Sequence, residues 1–112
     1  MYEYKIDNIR VIDGDTIEAD IHLGMNILLS KRKIRFYDLD TWETRGPNRK
    51  LGLAAKKDLK KQIASYKTLS VMTIKDKSGK YGRLLGIIFG SNDGIVSHNL
   101  NTFMRNSWSK QS

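Results

Sequence analysis

From its N-terminus the chain alternates short runs of Ile, Val, Tyr and Phe with Asp, Gly and Asn, the pattern of strands cut by turns. Tyr4 to Ile12 forms the first predicted strand, turning at Asp13-Gly14, and Thr16 to Leu23 forms the second. After Gly24-Met25-Asn26 a third is predicted from Ile27 to Tyr37. There Ile34 and Phe36 alternate with Lys31, Lys33, Arg35 and Tyr37, so one face is apolar and the other largely basic. Thr41 to Lys50 is polar and contains Gly46-Pro47-Asn48, which makes it a surface loop of the kind that carries functional groups.

The period then lengthens. Leu51, Ala55, Leu59, Ile63 and Tyr66 fall on one stripe, with Lys56, Lys57, Lys60 and Lys61 largely off it, predicting an amphipathic helix of about four turns. Two more strands are expected at Leu69 to Lys75 and Arg83 to Phe89, joined through the turn-like Lys77-Ser78-Gly79-Lys80. Ser97 is the candidate cap of a short closing helix whose Leu100, Phe103 and Met104 face inward. The tail from Asn106 to Ser112 is expected to fray, with Trp108 as an anchor whose partner is not legible. His22 and His98 are read as surface or capping residues.

Three strands, a helix, two strands and a closing helix predict a mainly β fold with helices, a five-stranded Greek-key barrel of the oligonucleotide/oligosaccharide-binding (OB) type. With 112 residues there is room for one core, so residues 1–112 are read as a single domain with its core at about 4–105. No apolar run reaches the roughly 18 residues of a membrane span, and Met1-Tyr2-Glu3-Tyr4-Lys5 lacks the apolar stretch of a signal peptide. A soluble monomer is expected, in a compartment the sequence does not specify.

Charge narrows the choice of partner. The 20 Lys and Arg exceed the 12 Asp and Glu by enough to give a net charge of +8, which favours a polyanion, nucleic acid or an anionic membrane, without choosing between them. The chain has no cysteine and only two histidines, so a metal here would be held mainly by oxygen.

The acidic residues are more telling than the basic ones, because a protein that only grips phosphate has little use for carboxylates in its basic groove. Asp13 and Asp15 flank Gly14 at a turn, and Asp38, Asp40 and Glu43 cluster where the third strand gives way to the polar loop. Such carboxylates can converge on calcium or magnesium, with waters completing the shell. Glu43 is of a type to orient or deprotonate an attacking water, and Arg35 and Arg83 to hold charge building on phosphorus. Arginine suits that task through its planar fork of donors. Arg35 and Asp40 are an odd number of residues apart, so a bulge or strand end near Leu39 must intervene if both serve one site.

Val11-Ile12-Asp13-Gly14-Asp15-Thr16, Ile34 to Glu43 and Lys80-Tyr81-Gly82-Arg83 resemble, in order and separation, the three motifs of the staphylococcal nuclease family. The likeness extends through Leu51-Gly52-Leu53-Ala54-Ala55 and from Gly94-Ile95-Val96 to Leu100, covering roughly residues 9–104. The resemblance implies a calcium-dependent endonuclease acting on DNA and RNA and leaving 3′-phosphate and 5′-hydroxyl ends, with magnesium or manganese as alternative ions. By position it makes Asp15 and Asp40 metal ligands, the Thr41 main-chain carbonyl a third, and Asp13 an outer-shell partner. Glu43 takes the place of the general base, Arg35 and Arg83 that of the phosphate clamp, and Lys80 and Tyr81 contact a terminal phosphate. Two departures stand out: Trp42 replaces a common proline, and the chain ends before the third helix of the best-known member. Single-stranded substrate is expected to be preferred. The alternative is a barrel that binds nucleic acid without cutting it, and a weaker one is a protein-binding module with an incidental basic surface.

Overall fold

The computed structural model describes residues 3–74 and 83–110. Alternation fixes the inner face: Ile17, Ala19 and Ile21 are all buried in the strand Thr16–Gly24, labelled β2. It pairs antiparallel with β1 (Glu3–Asp13) on one side and β3 (Ile27–Phe36) on the other. β4 (Thr68–Ile74) lies antiparallel between β1 and β5 (Arg83–Ser91). The circle closes where β5 runs parallel to β3, Lys33 beside Arg83 and Phe36 beside Gly86. The result is a mainly β protein with two helices and a closed, OB-like five-stranded barrel in the order β1-β2-β3-β5-β4.

Closing so few strands demands strong bending, and one carboxylate holds two of the bends. Asn8 in β1 and Lys31 in β3 both take left-handed backbone angles, with φ of 50° and 51°. Between them on β2, Asp20 accepts the Asn8 side-chain amide through Oδ2 and the Lys31 main-chain N–H through Oδ1, each at 2.8 Å. The register slips on both sides of this point, between Asp7 and Arg10 and between Ala19 and Ile21.

The helix α1 (Arg49–Ala64) lies against the barrel through Gly52, Ala55 and Leu59, while Ile63 and Tyr66 pack at the core's edge. Leu51, expected on this stripe, is instead 43% exposed. The helix is rotated so that Gly52 meets the preceding loop: a β-carbon there would collide with the Glu43 carbonyl. A two-residue strand β6 (His98–Asn99) pairs with the end of β5 and leads into α2 (Leu100–Trp108). Its cap is Asn99, which accepts the Thr102 N–H at 3.0 Å, and not the expected Ser97. Ser97 precedes β6, whose pairing holds the chain extended for two more residues. Leu100 and Met104 are buried and Phe103 packs against the core, as their spacing requires.

The tail does not fray over residues 106–110. The α2 helix continues to Trp108, whose indole N–H donates to Asp58 of α1 at 2.8 Å, and the Lys110 main-chain N–H donates to the Asp40 carbonyl at 2.8 Å. His98 is exposed, as expected of a surface residue, and stacks at a tilt on Tyr66, their ring centroids 5.4 Å apart. The expected turn at Lys77 to Lys80 lies outside the described residues. Among the described residues no helix is long and apolar enough to cross a membrane.

Candidate functional site

At one end of the barrel the β1–β2 turn meets the segment that follows β3, and Asp15 ties them together. It is 4% exposed; Oδ1 accepts the Thr16 hydroxyl at 3.0 Å and Oδ2 accepts the Thr41 main-chain N–H at 3.1 Å. The Asp15 carbonyl accepts the Phe36 N–H at 2.8 Å, so the last residue of β3 is registered against the same turn. Gly14 makes the junction tight, since a β-carbon there would stand 2.8 Å from both Thr41 Oγ1 and the Ala55 β-carbon.

The odd spacing of Arg35 and Asp40 is resolved by a strand end. After Phe36 the chain turns, Asp38 adopting φ of 55°, and Asp40 returns to the side of the strand that Arg35 occupies. Arg35 Nη2 then lies 3.5 Å from Asp40 Oδ1 and 3.7 Å from Asp15 Oδ2, and donates to the Leu39 carbonyl at 3.4 Å. One guanidinium thus faces both carboxylates expected to bind metal.

These residues share a cavity of about 320 Å³, lined by Asp13, Asp15, Arg35, Asp40, Thr41 and Glu43 together with Lys33, Trp42 and Lys110. Asp13 accepts the Thr44 hydroxyl at 3.2 Å, which anchors the loop just after Glu43. The Thr41 N–H on Asp15 before it and the Glu43 carbonyl against Gly52 after it hold the main chain on both sides of a side chain that is itself exposed. Trp42, partly buried, forms part of the cavity wall. A second cavity of about 630 Å³ shares Arg35 and Asp40 and continues past Tyr37 and Leu85 to Arg105 and Ser109. The two cavities adjoin at Arg35 and Asp40.

Two supporting residues on α2 are not evident from the sequence motifs. Asn101 is 1% exposed; its amide nitrogen donates to the carbonyls of Tyr37 and Gly86, both at 3.0 Å, and its Oδ1 accepts the Ile88 N–H at 2.9 Å. Arg105 donates through Nε to the Asp38 carbonyl at 3.0 Å. With Lys110 on the Asp40 carbonyl, the closing helix and its extension grip residues 37–40 at three carbonyls. A lone Asn inside the apolar stripe of Leu100 and Met104 was the available signal, because a buried amide requires partners.

Arg83 is defined by register alone: its main chain lies beside Lys33, two residues from Arg35. Lys80 and Tyr81 lie outside the described residues. Two carboxylates and a main-chain carbonyl are the oxygen donors that hard cations such as calcium take, with no nitrogen or sulfur among them. Among the described residues no group of three or more His, Cys, Asp or Glu side chains is assembled for an ion, so water would have to complete the shell. A scan against protein-family models gives no match, and a search of the curated proteins finds no relative.

Proposed function

We propose that this chain is a metal-dependent nuclease of the staphylococcal nuclease type, hydrolysing phosphodiesters of DNA and RNA with a preference for single strands. The observation that carries the reading is the meeting of Asp15, Arg35, Asp40, Thr41 and Glu43, drawn from two sequence motifs, around one cavity at the barrel end. The resemblance of the three motifs to that family supplies the reaction type and the 3′-phosphate and 5′-hydroxyl ends.

Calcium held by the Asp15 and Asp40 carboxylates and the Thr41 carbonyl would supply positive charge to a phosphate oxygen. Arg35, already at the mouth of the acidic pair, turns its fork toward the phosphate and hydrogen-bonds the oxygens that gain charge as phosphorus becomes five-coordinate. Glu43 accepts a proton from the attacking water as oxygen bonds to phosphorus and the bond to the 5′ oxygen breaks, that oxygen taking a proton from solvent to leave as the 5′ hydroxyl. Asp13 acts through Thr44, holding the loop from which Glu43 reaches the cavity. Arg83 is assigned the second half of the clamp by its motif alone.

Release of acid-soluble nucleotides from heat-denatured DNA tests the proposal, with calcium, magnesium, manganese or chelator, beside Asp40→Ala and Glu43→Ala. Calcium-dependent release that both substitutions abolish is expected. A second reading, a barrel that binds nucleic acid without cutting it, is favoured by Arg35, whose single positive charge faces both candidate ligands at 3.7 and 3.5 Å. Salt-dependent binding with no release under any metal would establish that reading instead.

A further inference from the structure

We infer that Lys110 is a tethered competitor of the divalent cation at Asp40 and, once displaced, a contact for substrate phosphate; the inference rests on the metal-dependent reading above. Asp40 offers one carboxylate oxygen to each of two resident cations. Its Oδ1 lies 3.5 Å from Arg35 Nη2, and its Oδ2 lies 4.0 Å from Lys110 Nζ. Arg35 also faces Asp15 and donates to the Leu39 carbonyl, so several contacts hold it in the corner.

Lys110 is attached differently. Its main-chain N–H is bound to the Asp40 carbonyl, yet its side chain is 39% exposed and meets the carboxylate only at the outer limit of an ion pair. The main-chain bond keeps the ammonium at high effective concentration beside Asp40, and the loose side chain lets it leave. A calcium ligand must approach the ion to roughly 2.3–2.6 Å, so an ion seated on Asp40 repels the ammonium beside it. The ion and the Lys110 contact therefore oppose each other. Among the described residues Lys110 pairs with no acid but Asp40, and Lys33 lines the same cavity. A displaced Lys110 finds its next counter-charge in a phosphate of the polynucleotide.

Terbium is the probe, a hard cation that seeks oxygen and whose luminescence Trp42, in the wall of the same cavity, would sensitise. Wild type, Lys110→Met and Lys110→Arg are titrated with it. Removing a partly exposed ion pair should tighten terbium binding about threefold in Lys110→Met, while Lys110→Arg keeps the wild-type affinity. The difference should shrink in about 0.5 M salt, where exposed charges are screened. With metal present, Lys110→Met should bind single-stranded oligonucleotide more weakly, a change of opposite sign that general loosening of the fold would not produce. Equal terbium affinity in all three proteins, or weaker affinity in Lys110→Met, overturns the inference alone. No terbium binding by any of them defeats the metal-dependent reading and takes this inference with it.

Discussion

The side-chain amide of Asn101 donates to the main-chain carbonyl of Tyr37 at 3.0 Å, joining the closing helix to the residue that follows β3. That bond belongs to a buried set which also satisfies the Ile88 N–H. Asn101→Ala would leave the Tyr37 carbonyl and the Ile88 N–H without these partners, at a cost of about 3 kcal/mol. Urea unfolding measures it, and a loss below about 1 kcal/mol would show that water replaces the amide. The variant should also lose activity beyond its loss of folded protein, since Asp40 lies three residues from Tyr37.

Gly52 offers a test in which two effects have opposite signs. In an isolated helix Gly→Ala gains about 1 kcal/mol. Here the new methyl would collide with the Glu43 carbonyl, and overpacking of this kind costs about 2 kcal/mol, so the clash should prevail. We expect Gly52→Ala to lower stability and to lower kcat with it, because the loop that must move carries Glu43. A more stable variant would mean that the loop gives way freely.

Two carboxyls should make stability sensitive to acid. Asp20 is held below its ordinary value of 3.8 by the Asn8 amide first and the Lys31 N–H second. Asp93 is held down by the main-chain N–H groups of Val96 and Ile95. When the folded value is the lower one, the unfolded chain binds more protons within that window. The stabilisation is then complete above the unfolded value and is lost as pH falls through the folded value. Carboxyl NMR titration should place both midpoints below 3.8. Asp20→Asn should flatten the fall in the urea midpoint below about pH 4; an unchanged slope would remove Asp20 from the acid response.

For the proposed chemistry, Arg83→Ala should reduce cleavage far more than it weakens binding, because a clamp that acts on developing charge contributes mostly in the transition state. Equal losses would make Arg83 a simple anchor for substrate. Single strands should be cut faster than intact duplex, and equal rates would overturn the proposed preference.

What could be read from the sequence was what depends on neighbours along the chain. The period-two pattern located β2 and β3 almost to the residue, and the odd separation of Arg35 from Asp40 required the bend that Asp38 supplies. What escaped depends on distant partners. Ser97 and Asn99 are equally good caps by chemistry, and only the pairing of His98 and Asn99 with β5 selects between them. The order of the last turn depends on Asp58 and Asp40, which lie far back in the sequence. Leu51 falls on the inward stripe by spacing yet is exposed, because periodicity gives a helix's stripe but not its rotation, which Gly52 sets through contact with the loop.

The parallel pairing of β3 with β5 bears on how the molecule is made. It joins Lys33 to Arg83, so it cannot form until the helix and β4 between them have been drawn in. The hairpins β1–β2 and β2–β3 close cheaply, whereas this seam carries the entropy of a long loop and belongs late in folding, in the millisecond-to-second range of barrels dominated by distant contacts. Until it closes, β3 exposes a bare edge to any passing strand. A chain stalled at that stage would already have its Asp15 turn, yet Arg35 would sit on an unsupported ribbon, so the competence of the site reports completion of the fold.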